Sequence, residues 1–204
     1  SKTYADNNYS NHTTLWSPQW SQDQGPDGKV FGFFYSTWGI NFTLMGNSLA
    51  DSSAPAEKGN GIYGDYAVCE GPQAYYWGGT WICAAKGTDN LPFIKDLMYR
   101  LTCDADTMKQ ITLDTQDYTN NQSAMEAIAA SDYSSDFLGG QNHIALFAEA
   151  AKKIDMSNIS DYDKDCNELI QKALHPYFDG EISYEEGMQN FYDQMKELHP
   201  ELTE

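Results

Sequence analysis

From Thr88 onward the apolar residues of this chain recur at helical spacing, while those before it fall into short extended runs. A polypeptide that opens on a few strands and closes on many helices, with no internal repeat, is constrained to pack its helices outside a sheet. The expected class is therefore α/β or α+β. The strand candidates are the β-branched and aromatic run Lys29-Val30-Phe31-Gly32-Phe33-Phe34-Tyr35, ending near Trp38, then Tyr66–Glu70 and Trp81–Ala85. Gly46 to Gly64, rich in Gly, Ser, Ala, Asn and Asp, reads as a long loop of the kind that serves function or crosses between domains.

The helical part divides at its caps. Leu91, Ile94, Leu97, Met98 and Leu101 follow a Thr88/Asp89 cap, and Asp104 caps a helix carrying Met108 and Ile111. Ser123–Ala130 is a short helix candidate. Ile144, Phe147, Ala150, Ala151 and Ile154 form a stripe after Gly139-Gly140-Gln141-Asn142. Cys166, Leu169, Ile170, Ala173 and Leu174 form another, which Pro176 is expected to stop. Ser183-Tyr184-Glu185-Glu186 reads as a capping box before a face of Met188, Phe191, Tyr192, Met195 and Leu198.

Charge excludes whole classes of partner. The chain carries 30 acidic against 12 basic residues, a net −18, and Arg100 is its only arginine. Such a surface repels phosphate, so nucleic acid and anionic membranes are disfavoured, while a neutral or cationic ligand is compatible. The same acidity also serves plain solubility. Against this background stand 14 Tyr, 9 Phe and 5 Trp. Beyond filling a core, a surplus of flat rings suits sugars, whose apolar C–H faces they cover while polar neighbours take the hydroxyls.

Cys69, Cys83, Cys103 and Cys166 form no CxxC pair, and His12, His143, His175 and His199 are scattered, which leaves a zinc site without support. Two disulfides, such as Cys69 with Cys83 or Cys103 with Cys166, and buried free thiols are both open readings. Asp161, Asp163 and Asp165 alternate as in an EF-hand loop. However, Cys166 stands at the turn-glycine position and Lys172 at that of the bidentate glutamate. A second near-match through Asp179, Gly180, Ile182 and Glu186 places His175 and Tyr177 at its first ligand positions. Both read as solvated loops before helices, and no metal and no cofactor is expected. Neither GxSxG, a P-loop nor HExxH occurs, and no catalytic residues are assigned. No export signal opens the chain at Ser1, and no segment reaches membrane-spanning length.

The richest stretch is Tyr75-Tyr76-Trp77-Gly78-Gly79-Thr80-Trp81. Paired glycines let a ligand approach the backbone closely, and four bulky aromatics flank them. Trp77 and Tyr76 are expected to be exposed; Trp81, opening an apolar run, is equally readable as a core strand with a bulge. Gln141 and Asn142 present two carboxamides at a helix N-terminus, where they serve hydroxyl recognition or simple capping.

Taken in order, FGFFYSTWGINFTL at 31–44, GDYAVCEGPQAYYWGGTWICAAKGTDN at 64–90, FLGGQNHIALFAEAA at 137–151 and YFDGEISYEEGMQNFYDQMKELHP at 177–200 resemble the C-terminal half of family 1 extracellular solute-binding proteins, the maltose-binding-protein-like group. The resemblance implies a periplasmic-binding-protein-like type II α/β fold, incomplete here, in which a sugar binds between two lobes that close by hinge bending. It assigns 1–64 and 134–204 to the C-terminal lobe and 65–133 to a segment returning to the N-terminal lobe and hinge. It implies a non-enzymatic carbohydrate-binding component of an ABC transporter that hands its sugar to the permease. The protein would lie outside the cell, on the outer membrane face of a Gram-positive bacterium through an N-terminal lipid anchor beyond this chain, or in the periplasm of a Gram-negative one. By position it carries substrate-binding roles to Trp38, Tyr76, Trp77, Gly78, Gly79, Thr80, Trp81, Gln141 and Asn142. Maltodextrin-binding relatives place aromatics and a basic residue in the helix after Asn142; here Phe147 is its only ring, so the particular sugar stays open. Family members are roughly twice as long, and a single cleft wall implies weak or absent sugar affinity for this chain alone. The competing readings are a carbohydrate-active enzyme domain and a structural surface module.

Overall fold

The computed structural model describes residues 2–202 and corrects the expected fold class. About 45% of the chain is helical and about 1% is strand, with no sheet, so the architecture is all-helical and not α/β. In chain order the helices are α1 (Lys2–Asp6), α2 (Pro18–Asp23), α3 (Met45–Asn47), α4 (Leu91–Thr102), α5 (Ala105–Thr115), α6 (Gln122–Ala129), α7 (His143–Ala151), α8 (Asp163–Phe178) and α9 (Tyr184–Leu198); a π-helical turn over Ile40–Leu44 leads into α3. The strand candidates are extended as their composition requires, but among the described residues the only bridge is an isolated one between Ser135 and Gln141. A β-rich run fixes its own backbone locally, whereas a sheet requires a second backbone in register, and none lies alongside these runs.

The chain forms two compact units, residues 18–155 and residues 1–17 with 156–204. In the larger unit one apolar cluster joins Ile40, Leu44, Tyr63, Phe137 and Leu138, with Phe33, Tyr66 and Val68 packed on it. A second joins Met108, Ala124, Met125, Ile128 and Ile144, and Phe147 packs against both. The loop expected over Gly46 to Gly64 is tied down at Gly61, whose φ of +67° suits glycine and where a Cβ would collide with the Ser48 carbonyl oxygen. That approach lets Ile62 N donate to Ser48 O at 2.9 Å and brings Tyr63 into the first cluster.

The helix caps follow the sequence closely. Asp104 accepts from Thr107 N at 2.8 Å and Ser183 from Glu186 N at 3.0 Å. At α4 the cap falls one residue later than expected, at Asn90, whose N–H donates to the Thr88 hydroxyl. Helix α8 runs on through Pro176 to Phe178, because a proline in the last turn forfeits one hydrogen bond only as the helix is ending. In the smaller unit α8 and α9 pack closely at Gly187, where a Cβ would meet Leu174 at 3.0 Å.

Candidate functional site

The aromatic segment after Tyr75 folds back onto the turn at Ser36–Gly39, within the larger unit. Three hydrogen bonds hold it: the Ser36 hydroxyl and Trp38 Nε1 both donate to the Trp77 carbonyl, at 3.2 and 3.3 Å, and the Tyr75 hydroxyl donates to Tyr35 O at 2.7 Å. Trp38 and Trp77 thereby meet with ring centroids 5.7 Å apart and planes at 71°, an aromatic corner. Phe42 stands edge-on to Trp38 at 5.9 Å. Behind the corner Tyr35 touches Trp38 at 5.2 Å and Trp77 at 6.2 Å, and is backed by buried Trp20 of α2 stacked at 5.8 Å.

The backing is set by what surrounds Tyr35. Burial raises the pKa of its phenol, and a hydrogen bond from the Thr43 hydroxyl at 3.2 Å offsets part of that. Gly39 lies under the same ring, where a Cβ would fall 1.7 Å from it. On the outer side Gly78 and Gly79 take φ of +84° and +103°, a path that favours glycine. A Cβ on Gly78 would stand 3.3 Å from Trp38 Nε1, and one on Gly79 3.0 Å from the Tyr76 hydroxyl.

Trp77 keeps 40% of its surface exposed and Phe42 71%, and Trp38 is half-buried. Tyr76 and Thr80 are exposed, and Trp81 stands almost wholly in solvent rather than in the core. The corner is open surface at its front. Cavities of about 440 and 390 Å³ lie elsewhere, one in the smaller unit beside Asp6, His12 and Tyr177, the other between Gln19–Gly28 and Gly46–Leu49.

Gln141 and Asn142 do not join the corner. The Gln141 carboxamide takes both backbone groups of Val68, accepting from N at 2.8 Å and donating to O at 2.7 Å, and so stands in for the strand partner that 66–70 lacks. Asn142 accepts from Ala145 N at 3.3 Å as the cap of α7, while its Nδ2 donates to Ile128 O and Ala129 O at the end of α6. Both carboxamides thus donate and accept within the protein.

Sequence reasoning missed Tyr35, Phe42 and Trp20. One signal would have found their neighbourhood: no Asp or Glu occurs between Asp27 and Asp51, nor between Glu70 and Asp89, in a chain of net −18. Those two acid-free windows supply Tyr35, Trp38, Phe42 and Trp77, which the fold brings together.

Elsewhere some titratable groups are engaged in pairs. Asp179 faces His175 at 2.9 Å and His12 at 3.6 Å, and Asp165 faces His199 at 2.8 Å. Asp163 accepts from Ser160. Among the described residues no three His, Cys, Asp or Glu side chains converge on a point where a metal ion could sit. The four cysteines are free thiols; Cys69, Cys83 and Cys103 are exposed and Cys166 is half-buried. No helix is long and apolar enough to cross a membrane among the described residues. No protein-family model, no curated protein and no solved structure matches the chain.

Proposed function

We propose that this chain binds a neutral carbohydrate without turning it over, on the aromatic corner of Trp38 and Trp77, and that it serves as the binding component of an ABC importer. One observation carries the binding part: two partly exposed indoles meet at 71° beside bare glycine backbone. A pyranose laid on one ring rests its edge on the other, and burial of its C–H face is favoured by roughly 25 cal/mol per Å². Tyr76 and Thr80 at the rim supply hydroxyls for the sugar's own. The acid-free windows around the corner favour an uncharged ligand, since a cationic one finds no carboxylate within them. The importer role rests on the ordered sequence resemblance alone.

An open corner desolvates a ligand on one side only, so affinity for the isolated chain is expected at roughly millimolar strength, about −4 kcal/mol. A panel of neutral mono- and oligosaccharides, followed by tryptophan fluorescence and by an assay for newly released reducing ends, tests this. Saturable quenching without turnover is expected. Trp77→Ala and Trp38→Ala should each lose about 1–3 kcal/mol of binding. Saturable binding that survives both substitutions refutes the site, and release of reducing ends refutes the non-catalytic role.

A further inference from the structure

The ring surface does not end at the two indoles. Trp38, which meets Trp77 at 5.7 Å, also meets Phe42 at 5.9 Å, with planes 74° apart. Phe42 rides on the π-helical turn Ile40–Leu44, closed where Met45 N donates to Ile40 O five residues back. Such turns are rare and are found frequently at functional sites. Here Ile40, Thr43 and Leu44 are buried, while Asn41 and Phe42 take the outer side and Phe42 keeps 71% of its surface in solvent. Two side chains fix the turn: the Thr43 hydroxyl donates to Gly39 O at 3.1 Å, and Asn41 Nδ2 to Thr115 O at 2.9 Å. An exposed phenyl ring on a tied backbone thus extends the corner by one more ring.

We propose, resting on the carbohydrate reading of the corner, that Phe42 is a second sugar platform and that the ligand is an oligosaccharide of at least two residues. A pyranose is about as wide as one of these ring-to-ring steps, so one residue covers Trp38 and Trp77 and the next in the oligosaccharide reaches Phe42. A phenyl ring has no polar atom with which to read hydroxyls. It adds apolar area alone, so Phe42 sets the length of the ligand and not the identity of its sugars. With Nδ2 held by Thr115 O, Asn41 on the same turn keeps its Oδ1 as an acceptor for a hydroxyl of the second residue.

Binding constants of the full chain, read by tryptophan fluorescence, test this with two series of probes: glucose, cellobiose and cellotriose, and glucose, maltose and maltotriose. In at least one series the gain from one unit to two is expected to be about tenfold, and that from two to three less than about twofold. Phe42→Ala should bring the first gain below about twofold, whereas Phe42→Tyr, which keeps the ring face, should retain it. Circular dichroism and melting temperature of both variants should stay those of the parent. A Phe42 that serves only the fold would weaken one-unit and two-unit binding alike and leave their ratio unchanged, which overturns the proposal. Equal affinity for one, two and three units overturns it as well. In both cases a response lost in Trp77→Ala leaves the corner itself standing. Absence of binding by every probe removes corner and platform together.

Discussion

At the scale of single residues, Gly39 and His143 each hold a neighbourhood in place. Gly39 has ordinary helical dihedrals, so its role is one of space: the Tyr35 ring occupies the volume a methyl group would take. Tyr35 is itself held against Trp20, Trp38 and Trp77. Gly39→Ala is therefore expected to cost roughly 1–3 kcal/mol and to disturb the corner, read as a lower unfolding midpoint with altered tryptophan emission. His143 is fully buried, with Nε2 2.6 Å from Gln116 O, a carbonyl presented by a left-handed C-cap residue at φ +61°. Burial lowers its pKa from the ordinary 6.5, although the Gln116 and Gln141 carbonyls pull the other way. The unfolded chain then binds a proton that the folded one refuses. Stability is complete above pH 6.5 and declines as pH falls below it. The carboxylates with depressed values, Asp51, Asp104 and Glu149 among them, add a separate loss only below their ordinary 3.8 to 4.5. Urea unfolding at a series of pH values should show both steps, and His143→Gln should remove the upper one alone.

At the scale of elements, the junction between α6 and α7 hangs on one carboxamide, that of Asn142. Asn142 caps the start of one helix and the end of the other, so Asn142→Ala should cost about 1–2 kcal/mol, the upper part of the range for a cap, in chemical denaturation. Helix starts of this kind were legible beforehand, because a cap such as Asp104 or Ser183 acts on amides two or three residues away. The sheet was not. Val30, Phe31 and Phe33 declare an extended backbone, yet whether a neighbour pairs with it depends on residues far along the chain. For 66–70 that neighbour is a side chain, Gln141, rather than a strand. The corner was legible in part for the same reason. Trp38 and Trp77 stood out beside their turns and glycines, while Tyr35 and Phe42 read as strand and core until the fold set them around Trp38.

At the scale of the whole molecule, the acidic residues are unevenly spread along the chain. The 30 carboxylates keep out of the two windows that build the aromatic corner. The proposed carbohydrate contact thus lies where the chain's acidity opposes an uncharged ligand least. The sharpest test follows the indole N–H resonances of ¹⁵N-labelled chain while a neutral oligosaccharide is added. Signals of Trp38 and Trp77 should shift together along one saturating curve, with buried Trp20 moving less and the whole response lost in Trp77→Ala. Indole signals that stay fixed at tens of millimolar sugar, or shifts confined to residues outside the corner, would contradict a carbohydrate face there.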